Sequence, residues 1–424
     1  MSSLSRSELK ILSLSALGGV LEFYDFIIFV YFATSIGALF FPANMPDWLR
    51  QLQTFGIFAA GYLVRPIGGI VMAHFGDTRG RKKMFTLSIF LMAIPTLAIG
   101  LMPTYADIGI YAPIILLFFR MMQGAAIGGE VPGAWVFVAE HVAPRYVSFA
   151  CAVLTAGLTG GIFLGAIVAV LVNTFCTPEQ ILGGGWRAPF ILGGIFGIIA
   201  VFLRQWLHET PVFKAMQQQL SRQELPLKVV LRAHRPAIVL TALMTWMLSA
   251  AIVTMILMTP TLLQTLFKVP ARLALEANIF ATLCLTAGCL VFGALAGKFN
   301  AGRVMLIGSI GLAATAIIFY QQLAISAEHL FLLYGLNGFF VGVIAIIPAV
   351  GVMAFPAAVR FSGLSFSYNV AYAIFGGLTP IFISLLIPLN VMAPAYYVAA
   401  LGVLGFCIGP VSYTHLTLPT ICSV

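Results

Sequence analysis

The sequence predicts an all-α membrane protein in which twelve transmembrane helices form two pseudo-symmetric six-helix bundles. Three observations lead to this fold class. The 424-residue chain is 61% hydrophobic and only 8% charged, with a mean hydropathy of +1.04, whereas soluble domains carry about 25% charged residues. Twelve segments are apolar over roughly the 20 residues that a membrane helix needs. The loop cations also lie mostly on one side of the predicted membrane.

The apolar segments give the predicted helices in order. We place them at residues 12–38, 52–74, 84–102, 111–137, 147–174, 187–204, 236–263, 274–297, 303–322, 329–354, 361–387 and 393–411. The first follows two cations, as a signal peptide would, but it is too long, contains Glu22 and Asp25, and lacks a following small-residue cleavage site. We therefore interpret it as the first membrane helix.

The lysines and arginines predict the orientation. With the N-terminus inside, sixteen of the 22 lie on inside loops and four on outside loops. The other two, Arg65 and Arg120, fall within helices. Because cytoplasmic loops of membrane proteins carry an excess of lysine and arginine, we expect both termini in the cytoplasm. The chain would then be a multi-pass protein of the cytoplasmic (inner) membrane.

A polar segment in the middle of the chain divides it into two halves. We predict an N-terminal six-helix bundle at residues 1–204, a cytoplasmic linker at 205–235 and a C-terminal six-helix bundle at 236–411. Residues 412–424 form an atypical tail that is rich in threonine and suggests no function. Two repeated halves with a substrate path between them are typical of secondary transporters.

Acidic residues within apolar helices are the first candidate chemistry. Glu22 and Asp25 are three residues apart and share a helix face. An ionised acid near mid-membrane costs at least ~2.5–3.5 kcal/mol, and either proton uptake or pairing with a cation relieves that cost. Arg120 and Gln123 share a face of the fourth helix, with Glu130 about three turns away. These residues fit a proton-coupling relay, or structural ion pairs that pack the helices.

A second set of polar residues suits a substrate. Arg65 stays charged, so it must face a partner or a wet cavity, and it either holds a substrate carboxylate or pairs with Asp25 or Glu22. The second half is poor in buried charge and offers neutral polar groups instead. The candidate substrate-binding residues are Tyr24, Arg65, Gln123, Asn337, Tyr368 and Asn369.

The basic turn between the second and third helices suggests a gate. It runs from Gly76 to Lys83 and sets one carboxylate among four cations. Asp77 can cap the third helix or pair with a cation across the cytoplasmic face, and such a contact would break when that side opens. A passive anchor is the alternative. The candidate gating residues are Asp77, Gly80, Arg81 and Lys82.

Other classes of protein are disfavoured by the same residues. The six cysteines form no CxxC pair, no histidine cluster is present, and no phosphate-binding glycine loop precedes a soluble helix. We therefore expect no enzyme, no cofactor and no metal site. The net charge of +9 comes from scattered loop cations, so we expect no nucleic-acid partner. The expected partners are a small-molecule substrate, protons and the lipid bilayer.

Several ordered motifs resemble the metabolite:proton symporter branch of the major facilitator superfamily, which includes proline/betaine, 2-oxoglutarate, shikimate and citrate carriers. The resemblance runs from about residue 15 to 405. The motifs are Gly19 to Phe26, Gly61 to Gly69, Gly76 to Lys83, Arg120 to Glu130, Gly185 to Phe190, Glu209-Thr210-Pro211 and Ser362 to Pro380.

The resemblance implies alternating access and proton-coupled uptake of a small organic acid or zwitterion, by a protein that we expect to be monomeric. It implies that Asp77, Gly80, Arg81 and Lys82 are gating positions, and that Arg120 and Gln123 belong to a signature linked to proton coupling. A proton-driven exporter of a metabolite or drug, and a transport-dead nutrient sensor, remain alternatives.

Overall fold

A computed structural model describes residues 5–205 and 226–417, so most of the predicted linker lies outside the described residues. Twelve principal helices follow one another along the chain. They are α1 Arg6–Tyr31, α2 Asp47–Arg79, α3 Arg81–Leu101, α4 Tyr111–Ala139, α5 Val147–Phe175, α6 Arg187–Gln205, α7 Arg235–Thr265, α8 Ala271–Lys298, α9 Ala301–Ile325, α10 Leu330–Met353, α11 Ala357–Leu386 and α12 Ala393–Thr417. Shorter helices join them at Ala33–Phe40, Tyr105–Ile108, Pro178–Gln180 and Pro226–Ala233.

The predicted fold class is confirmed. Within the described ranges, nine helices are long and apolar enough to cross a membrane, and Pro178–Gly185 with Arg187–Leu203 forms a bent tenth candidate. The shorter apolar helices Thr86–Leu101 and Ala393–Gly409 occupy the third and twelfth places. Every predicted apolar segment therefore corresponds to a helix.

Helix ends differ from the predicted ones where polar residues extend a helix beyond its apolar part. Helix α1 begins at Arg6 because Ser5 and Glu8 form a capping box: the Glu8 amide donates to the Ser5 hydroxyl at 3.2 Å, and the Ser5 amide donates to the Glu8 carboxylate at 2.7 Å. The predicted first span ends as a separate helix, Ala33–Phe40. Hydropathy detects the hydrocarbon-spanning part of a helix and misses these polar turns.

Three helices of the second half contain irregular turns, and each turn precedes a proline. The π-turns are Val253–Met258 in α7 and Tyr372–Gly376 in α11, and a 3₁₀ turn, Gly342–Ile346, lies in α10. Pro260, Pro348 and Pro380 each lack an N–H, so the carbonyl four residues earlier loses its helical donor, and those carbonyls fall within these turns. In α7 the freed Ile256 carbonyl accepts a hydrogen bond from Asn278 Nδ2 at 2.8 Å.

Glycines set how closely α2 and α4 pack. A methyl group at Gly124 would overlap the backbone of Gly61, and one at Gly128 would overlap the backbone of Arg65. Small residues let membrane helices approach to backbone contact. We call this α2–α4 contact the glycine seam. It fixes the backbones that carry Arg65 and Arg120 relative to each other.

Helices of the two halves meet chiefly along α5 with α8 and along α2 with α11. At the first of these contacts, the hydroxyls of Thr159 and Thr286 are hydrogen-bonded at 3.0 Å. The α2–α11 contact brings the buried Arg65 of the first half against Tyr368 and Tyr372 of the second.

Candidate functional site

Arg65 lies in an aromatic enclosure built by both halves. Its side chain is 2% exposed. Its guanidinium carbon is 4.2 Å from the ring centre of Tyr372 and 5.5 Å from those of Tyr62 and Tyr368. We call these three residues the tyrosine cage. Tyr62 of α2 also stacks on Tyr372 of α11, with ring centres 5.6 Å apart, so the cage joins the two halves.

Arg65 retains unused hydrogen-bonding capacity. Among the described residues, neither its Nε nor its Nη2 has a hydrogen-bond partner. These two groups form the side of a guanidinium that binds a carboxylate with two parallel hydrogen bonds. The cage holds the charge of Arg65 by cation–π contact. The Nε and Nη2 groups, which we call the fork of the arginine, stay available to an anionic ligand.

Arg120 occupies a second aromatic enclosure in the first half. The guanidinium carbon lies 4.3 Å from the ring centre of Phe29, 4.6 Å from that of Phe26 and 5.4 Å from that of Phe58. The side chain is fully buried. Its Nε and Nη2 also lack a partner in the described part of the chain, so a second empty fork lies near the first.

A chain of hydrogen bonds leads from Arg120 towards Asp25. Arg120 Nη1 donates to Gln123 Oε1 at 2.8 Å, and Gln123 Nε2 donates to Thr96 Oγ1 at 2.7 Å. Thr96 in turn donates to the Met92 carbonyl at 2.9 Å. The predicted pairing of Arg120 with Gln123 on one helix face is therefore present, and Thr96 of α3 extends it.

Asp25 lies at the end of this chain in a tightly closed space. A methyl group at Gly193 of α6 would lie 2.5 Å from Asp25 Oδ1 and 2.9 Å from Thr96 Cγ2. Asp25 is 1% exposed, and neither carboxylate oxygen has a hydrogen-bond partner among the residues described. A buried carboxylate without a cation beside it is costly when ionised.

Other predicted residues occupy structural contacts. The Tyr24 hydroxyl donates to the Pro189 carbonyl of α6 at 2.9 Å. Asn369 Nδ2 donates to the Gly128 carbonyl at 2.6 Å, which ties α11 to α4. Asn337 Nδ2 donates to Thr315 of α9 at 3.3 Å, so the structure does not bring Asn337 into the tyrosine cage.

The remaining predicted acids and cations are only partly described. Glu130 is buried in α4, ten residues and therefore roughly 15 Å along the helix from Arg120. The side chains of Glu22, Arg81 and Lys82 lie outside the described residues. The described chain contains no group of three or more His, Cys, Asp or Glu that could hold a metal ion.

The two halves are closed against each other at the end where α2 meets α3. Asp77 of α2 accepts hydrogen bonds from the Ser362 amide at 2.9 Å and the Ser362 hydroxyl at 2.7 Å. Arg360 Nη1 lies 3.1 Å from Glu140 Oε1. Gly80, with φ of 115°, allows the sharp turn from α2 into α3, since other residues rarely adopt this conformation.

Glycines also allow this closure. The Phe361 ring of α11 packs against Gly76 of α2 and Gly133 of α4, and a methyl group at either glycine would overlap the ring. Sequence reasoning missed Thr96, Tyr62, Phe361 and Ser362. Only Tyr62 carried a usable signal, because its position three residues before Arg65 places both on one helix face.

Comparison with known proteins agrees with this architecture. The model of the Major Facilitator Superfamily matches residues 26–380. A Staphylococcus aureus (strain COL) protein with a provisional proline/betaine transporter name is 34% identical over 412 residues, covering 95% of this chain and 87% of that protein. The glycine betaine/proline/ectoine/pipecolic acid transporter of Dickeya dadantii (strain 3937) is 31% identical over 421 residues, covering 94% and 82%.

A solved structure shows the same fold at lower identity. The proton:xylose symporter XylE of E. coli, bound to 6-bromo-6-deoxy-D-glucose, superposes with a TM-score of 0.81. It is 16% identical and covers 96% of each chain. At this identity the likeness concerns the arrangement of the helices alone.

Proposed function

Since the chain belongs to the Major Facilitator Superfamily, we propose that this transporter is a proton-coupled symporter that imports a small carboxylate-bearing zwitterion. One observation carries the proposal: Arg65 and Arg120 are buried within aromatic enclosures and each keeps Nε and Nη2 without a partner in the described chain. Empty donor forks in a buried compartment favour a ligand with a carboxylate.

Arg65 is the residue that binds the carboxylate in this proposal. Its fork is open, and its charge is held by rings from both halves. A ligand bound there touches α2 and α11 together, which suits a site reached alternately from each side. Gln123 and Asn369 hold the surrounding helices, and Tyr24 fixes α6 beside Asp25.

The name of a relative supports a zwitterion over a simple acid. The substrates in the name of the Dickeya dadantii relative include proline and glycine betaine. Both carry a carboxylate beside a positively charged nitrogen, and the carboxylate suits the Nε and Nη2 groups of Arg65.

Asp25 is the proton carrier in this proposal. It is buried without a hydrogen-bond partner in the described chain and lies beside Thr96. Protonation removes a charge that the site does not compensate. The path Arg120–Gln123–Thr96 runs from a guanidinium to the threonine beside Asp25. Glu22 and Glu130 are further candidate proton-coupling residues.

Alternating access follows from the contacts between the halves. We assign the α2–α3 end to the cytoplasm, with both termini on that side, because the loop cations gather there. Asp77 and Gly80, with Arg81 and Lys82, then form the cytoplasmic gate. Its opening requires the Asp77–Ser362 contact to break. The two bundles, residues 1–204 and 236–411, would rock about the bound substrate as one monomer.

Reconstituted vesicles test this function. Proline, glycine betaine, citrate, 2-oxoglutarate and shikimate are added one at a time while the external pH is recorded. We expect alkalinisation with a zwitterion, and its loss in Asp25→Asn. Asp107→Asn is the matched control, since Asp107 is an exposed acid in the Tyr105–Ile108 turn and accepts hydrogen bonds from Thr104.

Three results would contradict the proposal in different ways. Uptake of a zwitterion with no pH change, unaffected by a protonophore, would overturn proton coupling and leave the substrate assignment standing. Uptake of citrate or shikimate alone would overturn the zwitterion. Efflux driven by an inward proton gradient would establish export instead.

A further inference from the structure

A groove of about 480 Å³ lies between α7, α11 and α12. Its walls include Phe375, Phe382, Ala400 and Leu404, and the indole ring of Trp246 forms part of its lining. Trp246 stacks on Phe375 with ring centres 4.4 Å apart. The volume falls within the range of roughly 300–1,000 Å³ typical of ligand sites, yet the groove shares no lining residue with the tyrosine cage.

The polar atoms that line the groove are already paired. Trp246 Nε1 donates to the Tyr397 hydroxyl at 2.8 Å, and that hydroxyl is hydrogen-bonded to Thr379 Oγ1 at 3.0 Å. Among the described residues, no charged side chain lines the groove. A polar ligand would have to break these bonds, because buried polar groups need partners. The lining therefore suits an entirely apolar ligand.

The groove opens on the lipid-facing surface near the middle of the span. Its lining residues Leu378 and Phe382 are 55% and 48% exposed, and the neighbouring Ile381 and Leu385 are more exposed still. Trp246 is eleven residues from Arg235, or roughly 16 Å along α7, which is about half of the ~30 Å hydrocarbon thickness. At this depth the surrounding solvent is lipid acyl chain.

The groove and the cage share one turn of α11. Phe375 lines the groove, and Tyr372, three residues earlier in the same π-turn, contacts Arg65 and stacks on Tyr62. A ligand seated on Phe375 therefore rests on the turn that positions one wall of the candidate substrate site.

We propose that this groove binds one acyl chain of a membrane phospholipid. The occupant follows from the apolar lining, the satisfied polar floor, the mid-membrane depth and the exposure to lipid. The bound chain packs against Trp246 and Phe375 and lies along α12 at Ala400. This site is separate from the transport site and does not depend on the proposed substrate.

Photolabelling tests the proposal on the full-length protein in vesicles that contain a phospholipid with a diazirine in mid-chain. After irradiation, digestion and mass spectrometry locate the label. We expect labelling at 375–382 and 397–404 to exceed, several-fold, that on the equally lipid-exposed Val239 and Ile310 surfaces. Ala400→Trp fills the groove and should reduce labelling of Phe375 several-fold. Leu404→Trp replaces it if the first variant does not fold.

Val403→Trp is the matched control, because Val403 lies on α12, is 61% exposed and does not line the groove. It should leave the labelling of Phe375 unchanged. Labelling spread evenly over all lipid-facing helices would overturn the proposal, as would equal labelling of Phe375 in the wild type and Ala400→Trp. Labelling of the groove by a short apolar diazirine but not by the phospholipid would also overturn it, since the occupant would then be a small molecule.

Discussion

Replacing Arg65 by lysine should weaken substrate binding by about 10- to 150-fold. Arg65 is almost fully buried, and its Nε and Nη2 have no partner in the described structure. A carboxylate that accepts from both would form two parallel charge-assisted hydrogen bonds. Lysine keeps the charge but lacks the planar fork, so one bond is lost. A hydrogen bond to a charged group contributes about 1.5–3 kcal/mol, which gives the stated range.

The measurement is the dissociation constant of the transported zwitterion, obtained by titration calorimetry on the purified protein. Arg187→Lys is the matched control. Arg187 Nη1 donates to the carbonyls of Gly100 and Met102 near the end of α3, and its loss should leave the dissociation constant unchanged. If Arg65→Lys melts like the wild type and binds within about threefold of it, the assignment of the carboxylate to Arg65 is wrong.

Three further substitutions test the rest of the site. Asp25→Asn should abolish substrate uptake driven by a pH gradient. It should spare the exchange of labelled substrate when the substrate concentration is equal on both sides of the membrane. Loss of both activities would show that Asp25 has a structural role. Asp77→Ala removes the acceptor of two hydrogen bonds from Ser362, so the proposed cytoplasmic gate should open more often. A single cysteine placed on the buried face of α11 should then be alkylated faster than in the protein with Asp77 intact. An unchanged alkylation rate would contradict the gate. Gly124→Ala should reduce the folded fraction in size-exclusion chromatography because the glycine seam has no room for a methyl group. Gly377→Ala should leave the folded fraction unchanged, because a methyl group there would meet no neighbouring side chain or helix within 4 Å. Equal folded fractions for the two variants would refute the steric argument.

The charged centre of this site could be predicted from the sequence because charge in an apolar helix is expensive. Asp25, Arg65 and Arg120 each stand out for that reason, and the structure brings Arg65 against Tyr368 and connects Arg120 to Gln123. The helices were predictable on the same ground, since hydrocarbon tolerates only long apolar segments with satisfied backbones.

The neutral parts of the site could not be predicted in the same way. Thr96 and Ser362 are ordinary residues of apolar helices, and each matters only because of what another helix places beside it. Asn337 shows the converse. A polar residue in a membrane helix predicts substrate contact, and nothing in the composition indicated that its Nδ2 donates to Thr315 of α9. Composition reports the cost of burying a group, whereas the identity of its partner depends on tertiary packing.

The glycine seam fixes the spacing between α2 and α4. Because the backbones of α2 and α4 touch at Gly61 and Gly124 and again at Arg65 and Gly128, the spacing between the two guanidinium-bearing backbones cannot change without separating these helices. If the two bundles move relative to each other as proposed, the tyrosines of α11 move relative to two arginine-bearing backbones whose spacing is fixed. Selection among substrates would then depend on molecular length as well as charge. A longer molecule would meet the fixed α2–α4 pair on one side and the moving helix α11 on the other.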